Sequence, residues 1–397
     1  MVIKNKLHQA LPLMAIFSLF FLWALAHNLN PILIPHLKNA CKLSDMQSAL
    51  VDSSFYIAYF FMALPAGFII KRYGYQSTIV LGLSLFSMGA FVFYPAATLV
   101  SYPLFLLALF IIATGITFLE TAANPYVSIL GAPETASQRL NFAQAFNGLG
   151  ATLAALFGSK FILSDNSGSA LSVRIPYLII GCLVLLVMLV FFRLRLPKAP
   201  EDKTSGNQDF SLKRLMSYPQ FKNALVAQFF YVGAQVGIGS FFIRYCVAQT
   251  QIENEEAALY LSAALLLFMI GRFLGTALLK AISTKKLLFI YGVVNMVLLW
   301  LVIIGNGISS VYALMATQFF MSIMFPSIFA IGIKGLGSDT RFASPLLIMT
   351  IVGGAILPLA MGSISDNSQI NNAFIIPFIC FGVIAWFAYN LPKEKLS

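Results

Sequence analysis

Glu120 and Asn124 stand one helical turn apart in the apolar stretch ITFLETAANPYVSIL, Ile116 to Leu130. A carboxyl group at the centre of a membrane-spanning run costs about 2.5 to 3.5 kcal/mol on insertion scales, so its presence there points to a task. Four-residue spacing sets both side chains on one helix face. A carboxyl group removed from water can take and release a proton near neutral pH, as a proton-coupled carrier requires. Three other stretches gather neutral hydrogen-bonding groups: Trp23, His27, Asn28 and Asn30 in FLWALAHNLNP, Asn141, Gln144 and Asn147, with Gly148 beside them, in LNFAQAFNGLGA, and Gln228, Tyr231 and Gln235 in AQFFYVGAQ. A ring to stack on and amide forks for hydroxyl groups are the chemistry a sugar needs. Amides on one face of several helices suggest a shared polar cavity, with helix packing through Asn and small residues as the alternative.

Of the 14 Asp and Glu residues, Asp52 and Glu120 lie well inside apolar runs, and an ion pair with Arg244 or Arg272 is the other use for either. Arg272, in MIGRFLG, could instead pack between helices. His8, His27 and His36 have no metal-ligand spacing, and the four cysteines are scattered without a CxxC pair, so no metal is expected. Neither a Ser/His nor a Cys/His catalytic spacing nor a phosphate-binding glycine loop is visible, which argues against an enzyme and against a cofactor other than the proton itself.

The elements that must hold these groups are set by composition. Over 397 residues the chain is 59% hydrophobic and 10% charged, with mean hydropathy +0.86, against roughly 25% charged for a soluble domain. Twelve runs are long enough to cross a bilayer: Ala10 to Ile34, Ser48 to Ile70, Ser77 to Ala97, Pro103 to Val127, Leu140 to Leu163, Ile175 to Leu196, Lys222 to Ala248, Ala257 to Lys280, Leu287 to Gly307, Val311 to Ile333, Ala343 to Ile364 and Ala373 to Leu391. The expected fold is therefore an all-α polytopic membrane protein. The basic start reads as the lead-in to a first span rather than as a cleaved signal peptide, whose apolar region would be shorter.

The net charge of +11 could suggest a nucleic-acid surface, but the positions of the charges argue otherwise. Nineteen of the 25 Lys and Arg residues fall on one side of the runs, while Lys38, Lys42 and Arg174 fall on the other. By the positive-inside rule the basic side, with both termini, is cytoplasmic. The longest polar stretch, Arg193 to Ser217, reads as a flexible cytoplasmic linker. It divides the chain into residues 1–192, a linker 193–221, and residues 222–397, two sets of six spans. NPYVSILG in the fourth run and FPSIFAIG in the tenth each place a proline six residues before a glycine, a weak internal repeat. Two such halves with a site at the midplane form a transporter architecture.

FLWALAHNLNPILIPHLK, PAGFIIKRYGY, FLETAANPYVSILG, RLNFAQAFNGLGA, AQFFYVGAQ and MTIVGGAILP together resemble the fucose, galactose and glucose proton symporters of the major facilitator superfamily, the L-fucose permease above all. The likeness runs in order through nearly all the spans. It implies two pseudo-symmetric six-helix bundles rocking around a central site, and a monomer in the inner membrane that imports a monosaccharide with a proton. It also implies that Glu120 is the essential fourth-helix glutamate, that Gln144 and Asn147 contact sugar, and that Asn28 and Gln235 match further family amides. The superfamily loop signature GxxxDRxGRR survives as Gly67, Arg72 and Gly74, with Lys71, Tyr75 and Gln76 replacing its acid and basic pair.

The fucose permease has a first-helix aspartate taken to work with the glutamate in proton coupling, and this chain has Pro31 there. Pro31 and Asp52 are nearly equidistant from the polar turn at Cys41 and Lys42, and antiparallel helices of equal rise bring such positions to similar depth. Asp52 is thus a candidate substitute. Glu120 acting alone, an uncoupled facilitator, and a multidrug exporter of the same superfamily are the other readings. Which sugar is carried stays open, with L-fucose ahead of galactose, glucose and N-acetylated sugars.

Overall fold

The computed structural model describes residues 2–43, 50–130, 132–158, 170–194, 196 and 211–391. Every regular element among them is helical, and they form twelve spans in sequence order. The first span is Val2–His27 with Asn30–Ala40, and the second and third are the two arms of Leu50–Thr98. Tyr102–Ile129, Ala136–Gly158 and Arg174–Arg193 follow as fourth to sixth. Pro219–Thr250, Asn254–Leu278 and Thr284–Ile304 are seventh to ninth. The tenth is Ile308–Met321 with Met324–Ile333, the eleventh Thr340–Met349 with Gly353–Asn367, and the twelfth Ile370–Ala373 with Ile375–Tyr389. Each of the twelve apolar runs falls on one of these spans. The first span, from Val2 to Ala40, extends well past its run on both sides, and residues 48–49, 159–163 and 195 of the second, fifth and sixth runs lie outside the described residues. Nine segments among the described residues are long and apolar enough to cross a membrane unaided, and the one that ends at Thr98 holds two spans.

The chain forms two compact units. The first comprises residues 1–130, 146–206 and 340–349, and the second residues 131–145, 207–339 and 350–397. The fifth span therefore begins in the second unit and ends in the first, and the eleventh does the reverse.

Glycine sets the geometry of the first unit at two places. Gly74, at φ 81° and ψ 175°, separates the second span from the third, a backbone setting that a residue with a Cβ rarely adopts. A Cβ on Gly115 would lie 2.5 Å from the Gly82 carbonyl oxygen and 2.6 Å from the Phe86 nitrogen, so the third and fourth spans cross in backbone contact. This crossing fixes the fourth span, which carries Glu120. The first and fifth spans meet through the stacked rings of Phe17 and Phe146, with centroids 5.2 Å apart.

The altered loop signature has its own contacts. The Gln76 side chain donates to the Phe191 and Leu194 carbonyls and accepts from Leu196 N–H, closing the end of the sixth span. Lys71 lies over the Phe342 ring at 5.5 Å. In the second unit Arg214 grips Asp339 with two parallel bonds, Nε to Oδ2 at 2.8 Å and a terminal nitrogen to Oδ1 at 2.6 Å. The hydrogen bond to Asp339 raises the Arg214 pKa above its ordinary value. The carboxylate side chain is 6% exposed and the guanidinium side chain 33%. Arg214→Ala should therefore lower the melting temperature in detergent more than Asp339→Asn does, because it strands a buried charge whereas the Asn variant leaves a half-hydrated one.

Candidate functional site

In the first unit, Glu120 is buried in the fourth span, and its Oε1 accepts a 2.7 Å bond from the hydroxyl of Tyr59 on the second span. Tyr59 is a residue the sequence does not single out. Asn124 lies fully buried one turn further on. The next residue, Pro125, has no N–H, so the Thr121 carbonyl four residues back loses its helical donor. The hydroxyl of Ser344, at the start of the eleventh span, donates to that carbonyl at 2.9 Å.

The first span follows the same logic. Pro31 removes the donor for the His27 carbonyl, and the helix breaks between His27 and Asn30. Around this break the His27 Nδ1 and both amide ends of Asn30 are buried without a hydrogen-bond partner among the described residues. The His27 ring meets Phe55 edge-on at 5.3 Å. Asn28 donates its amide to the Ala24 carbonyl at 2.8 Å, and Trp23 packs against Phe20 with centroids 4.3 Å apart. The fifth span presses close to this region, for a Cβ on Gly150 would lie 2.3 Å from the Phe21 carbonyl oxygen. Asn147 is half-buried on the same span. The side chains of Pro31 and Asp52 lie outside the described residues.

In the second unit the tenth span breaks at Ser322 and Ile323, just ahead of Pro326. Three neighbouring spans meet the freed backbone. Tyr231 donates its hydroxyl to the Met321 carbonyl at 3.0 Å. Asn295, with its amide turned to satisfy both ends, donates to the Thr317 carbonyl and accepts from Met321 N–H. Arg272 Nε donates to the Ser322 carbonyl at 3.1 Å. A terminal nitrogen of Arg272 also donates to the backbone carbonyl and the side-chain Oε1 of Gln144. Asn141 donates to Ser327 Oγ at 3.1 Å. Gln228, fully buried, has no partner for either amide end among the described residues, and Gln235 is half-buried on the same helix. Arg244 is exposed and stacks on Phe241 at 4.1 Å.

The residues singled out by type thus fall into two sets. Trp23, His27, Asn28, Glu120, Asn124 and Asn147 belong to the first unit, and Gln144 and Gln235 to the second. In both, polar side chains surround a helix interrupted or weakened by proline, the membrane setting in which irregular backbone is tolerated.

The profile of the Major Facilitator Superfamily matches residues 13–343. The L-fucose-proton symporter of Escherichia coli strain K12 is 40% identical over 404 aligned residues, covering 95% of this chain and 92% of that one. A glucose/galactose transporter of Brucella abortus is also 40% identical, over 93% of this chain and 91% of its own length. The crystal structure of the transporter FucP in the outward conformation superposes with a TM-score of 0.89 at 39% identity, over 96% of this chain and 99% of that one. Matches of this length and identity settle the family: the chain is a membrane transporter, not an enzyme, and belongs to the major facilitator superfamily.

Proposed function

We propose that the chain imports a hexose together with a proton by exposing one site alternately to the two faces of the membrane. The observation that carries this reading is the buried Glu120 carboxyl held by Tyr59, in a chain 40% identical to an L-fucose-proton symporter. L-fucose ranks first among candidate sugars, followed by galactose and glucose, which the Brucella relative's name includes. Glu120 carries the proton, and Asp52 is the candidate second carboxyl group. Trp23, His27, Asn28, Asn124, Gln144, Asn147 and Gln235, with Glu120 itself, form the sugar contacts. The His27 nitrogen and the Asn30 amide, without partners among the described residues, support this, since buried polar groups await hydrogen-bond partners and a polyol supplies both donors and acceptors. The moving halves are residues 1–192 and 222–397 of a monomer in the inner membrane, joined by the cytoplasmic linker, with both termini cytoplasmic.

The test is sugar-dependent proton uptake. L-fucose, then D-galactose and D-glucose, are added to de-energised cells making the protein while external pH is followed, with Asp52→Asn as a second strain. Alkalinisation on sugar addition supports symport, and its loss in Asp52→Asn supports the second carboxyl role. One observation favours an uncoupled facilitator instead: Pro31 stands where the fucose permease has a carboxyl group. Sugar entry without any pH change would decide for it.

Tyr59→Phe is expected to lower net uptake about tenfold while leaving sugar affinity within about threefold. A hydrogen bond to a charged group contributes about 1.5 to 3 kcal/mol, and this one acts on the proton-carrying group. Initial rates and affinity measured on the same preparation check the split.

A further inference from the structure

Arg272 is a buried cation to which symport, as proposed, gives no task. The residue is 4% exposed, and its guanidinium joins two separate elements: the Ser322 carbonyl in the broken tenth span at 3.1 Å and Gln144 in the fifth, whose Oε1 it reaches at 3.3 Å. The Phe268 ring lies against the guanidinium at 4.5 Å and holds its plane. Each contact has a cause in the sequence. The Ser322 carbonyl is open to a side chain because Pro326, four residues on, has no N–H to offer it. The guanidinium's rigid fork then meets acceptors in two directions, which a lysine's point charge would not do.

We propose that Arg272 is a positioning residue of the sugar site, fixing the orientation of the Gln144 amide and tying it to the break in the tenth span. The inference rests on the reading that Gln144 contacts sugar. An amide has two faces of opposite polarity, oxygen accepting and nitrogen donating, related by a half-turn. A cation donating to Oε1 disfavours that half-turn, because the flipped amide would set N–H against N–H. Epimeric sugars differ in the direction of one hydroxyl group, and a site of fixed polarity rejects the wrong epimer by leaving buried polar groups unmatched. Arg272 thereby sets sugar selectivity through Gln144, and the same guanidinium makes occupancy of the amide felt at the tenth-span break.

The experiment is isothermal titration of the purified full-length protein with L-fucose, D-galactose and D-glucose. In Arg272→Ala the affinity for the preferred sugar should fall about tenfold, the worth of one charged hydrogen bond, and the ratio between preferred and disfavoured sugars should shrink. In Gln144→Ala, adding Arg272→Ala should change that ratio no further, because coupled residues are non-additive. Pro326→Ala supplies the missing N–H, draws the Ser322 carbonyl back into its helix and slackens the Arg272 tie. Since alanine suits a helix better than proline, this variant tests the inference even if Arg272→Ala fails to fold. It should shift selectivity in the same direction, by about threefold. Parental affinities and ratios in Arg272→Ala or in Pro326→Ala, or losses that multiply in the double variant, would overturn the inference. A parent protein that binds none of the three sugars overturns the sugar reading itself, and the inference with it.

Discussion

In Glu120→Gln, sugar addition should no longer alkalinise the medium, while exchange of labelled for unlabelled sugar across the membrane continues. Glutamine keeps the shape of the side chain and an oxygen for the Tyr59 hydroxyl, which donates to Glu120 at 2.7 Å, but it has no proton to take up or release. Coupling is a linkage free energy between two ligands, so with the protonatable group gone the inside-to-outside sugar ratio should settle at about one. The two readouts separate the roles of the residue. If exchange is lost along with alkalinisation, Glu120 is chiefly a sugar contact. Alkalinisation that survives in Glu120→Gln would place the coupling proton on another group.

Gly115→Val should remove the protein from the membrane fraction, for a reason unrelated to transport chemistry. The first atom of any side chain there would lie 2.5 Å from the Gly82 carbonyl oxygen and 2.6 Å from the Phe86 nitrogen, both backbone atoms. Flexible side chains can move aside, but two crossing helix backbones cannot do so without separating. Overpacking by a methylene or two costs typically about 1 to 3 kcal/mol, and valine adds three carbons against rigid neighbours. Fluorescence-detected size exclusion of tagged protein gives the answer directly: a monodisperse peak of parental height for Gly115→Val would show that the crossing is looser than described.

The sequence disclosed the spans and the unusual residues but not their partners, and the physical reason is the same throughout. Glu120 stands out because a carboxyl group in hydrocarbon is costly wherever it points. Tyr59 does not, since a tyrosine in an apolar helix is ordinary until a carboxyl group is found beside its hydroxyl. Arg272 was visible as a buried cation with three possible uses. That it grips Gln144 and the Ser322 carbonyl depends on helices far apart in sequence coming together. The proline in FPSIFAIG marked a repeat, whereas the break it causes at Ser322 and Ile323 lay hidden inside one unbroken apolar run. The neighbours of Trp23 and Asn28 were equally unreadable: type and spacing give their chemistry, not that Trp23 packs against Phe20 or that Asn28 donates to the Ala24 carbonyl.

The exchanged segments also bear on how the protein is made. A ribosome delivers the chain from its N-terminus, and early domains usually fold while later ones are still being synthesised. Here the first unit includes residues 340–349, and the Thr121 carbonyl receives its side-chain donor from Ser344. The fourth span is therefore in the bilayer, with that carbonyl awaiting its donor, through the synthesis of six further spans, the fifth to the tenth. Biogenesis of the first unit ends only when the eleventh span arrives, so a truncation ahead of that span leaves both units incomplete.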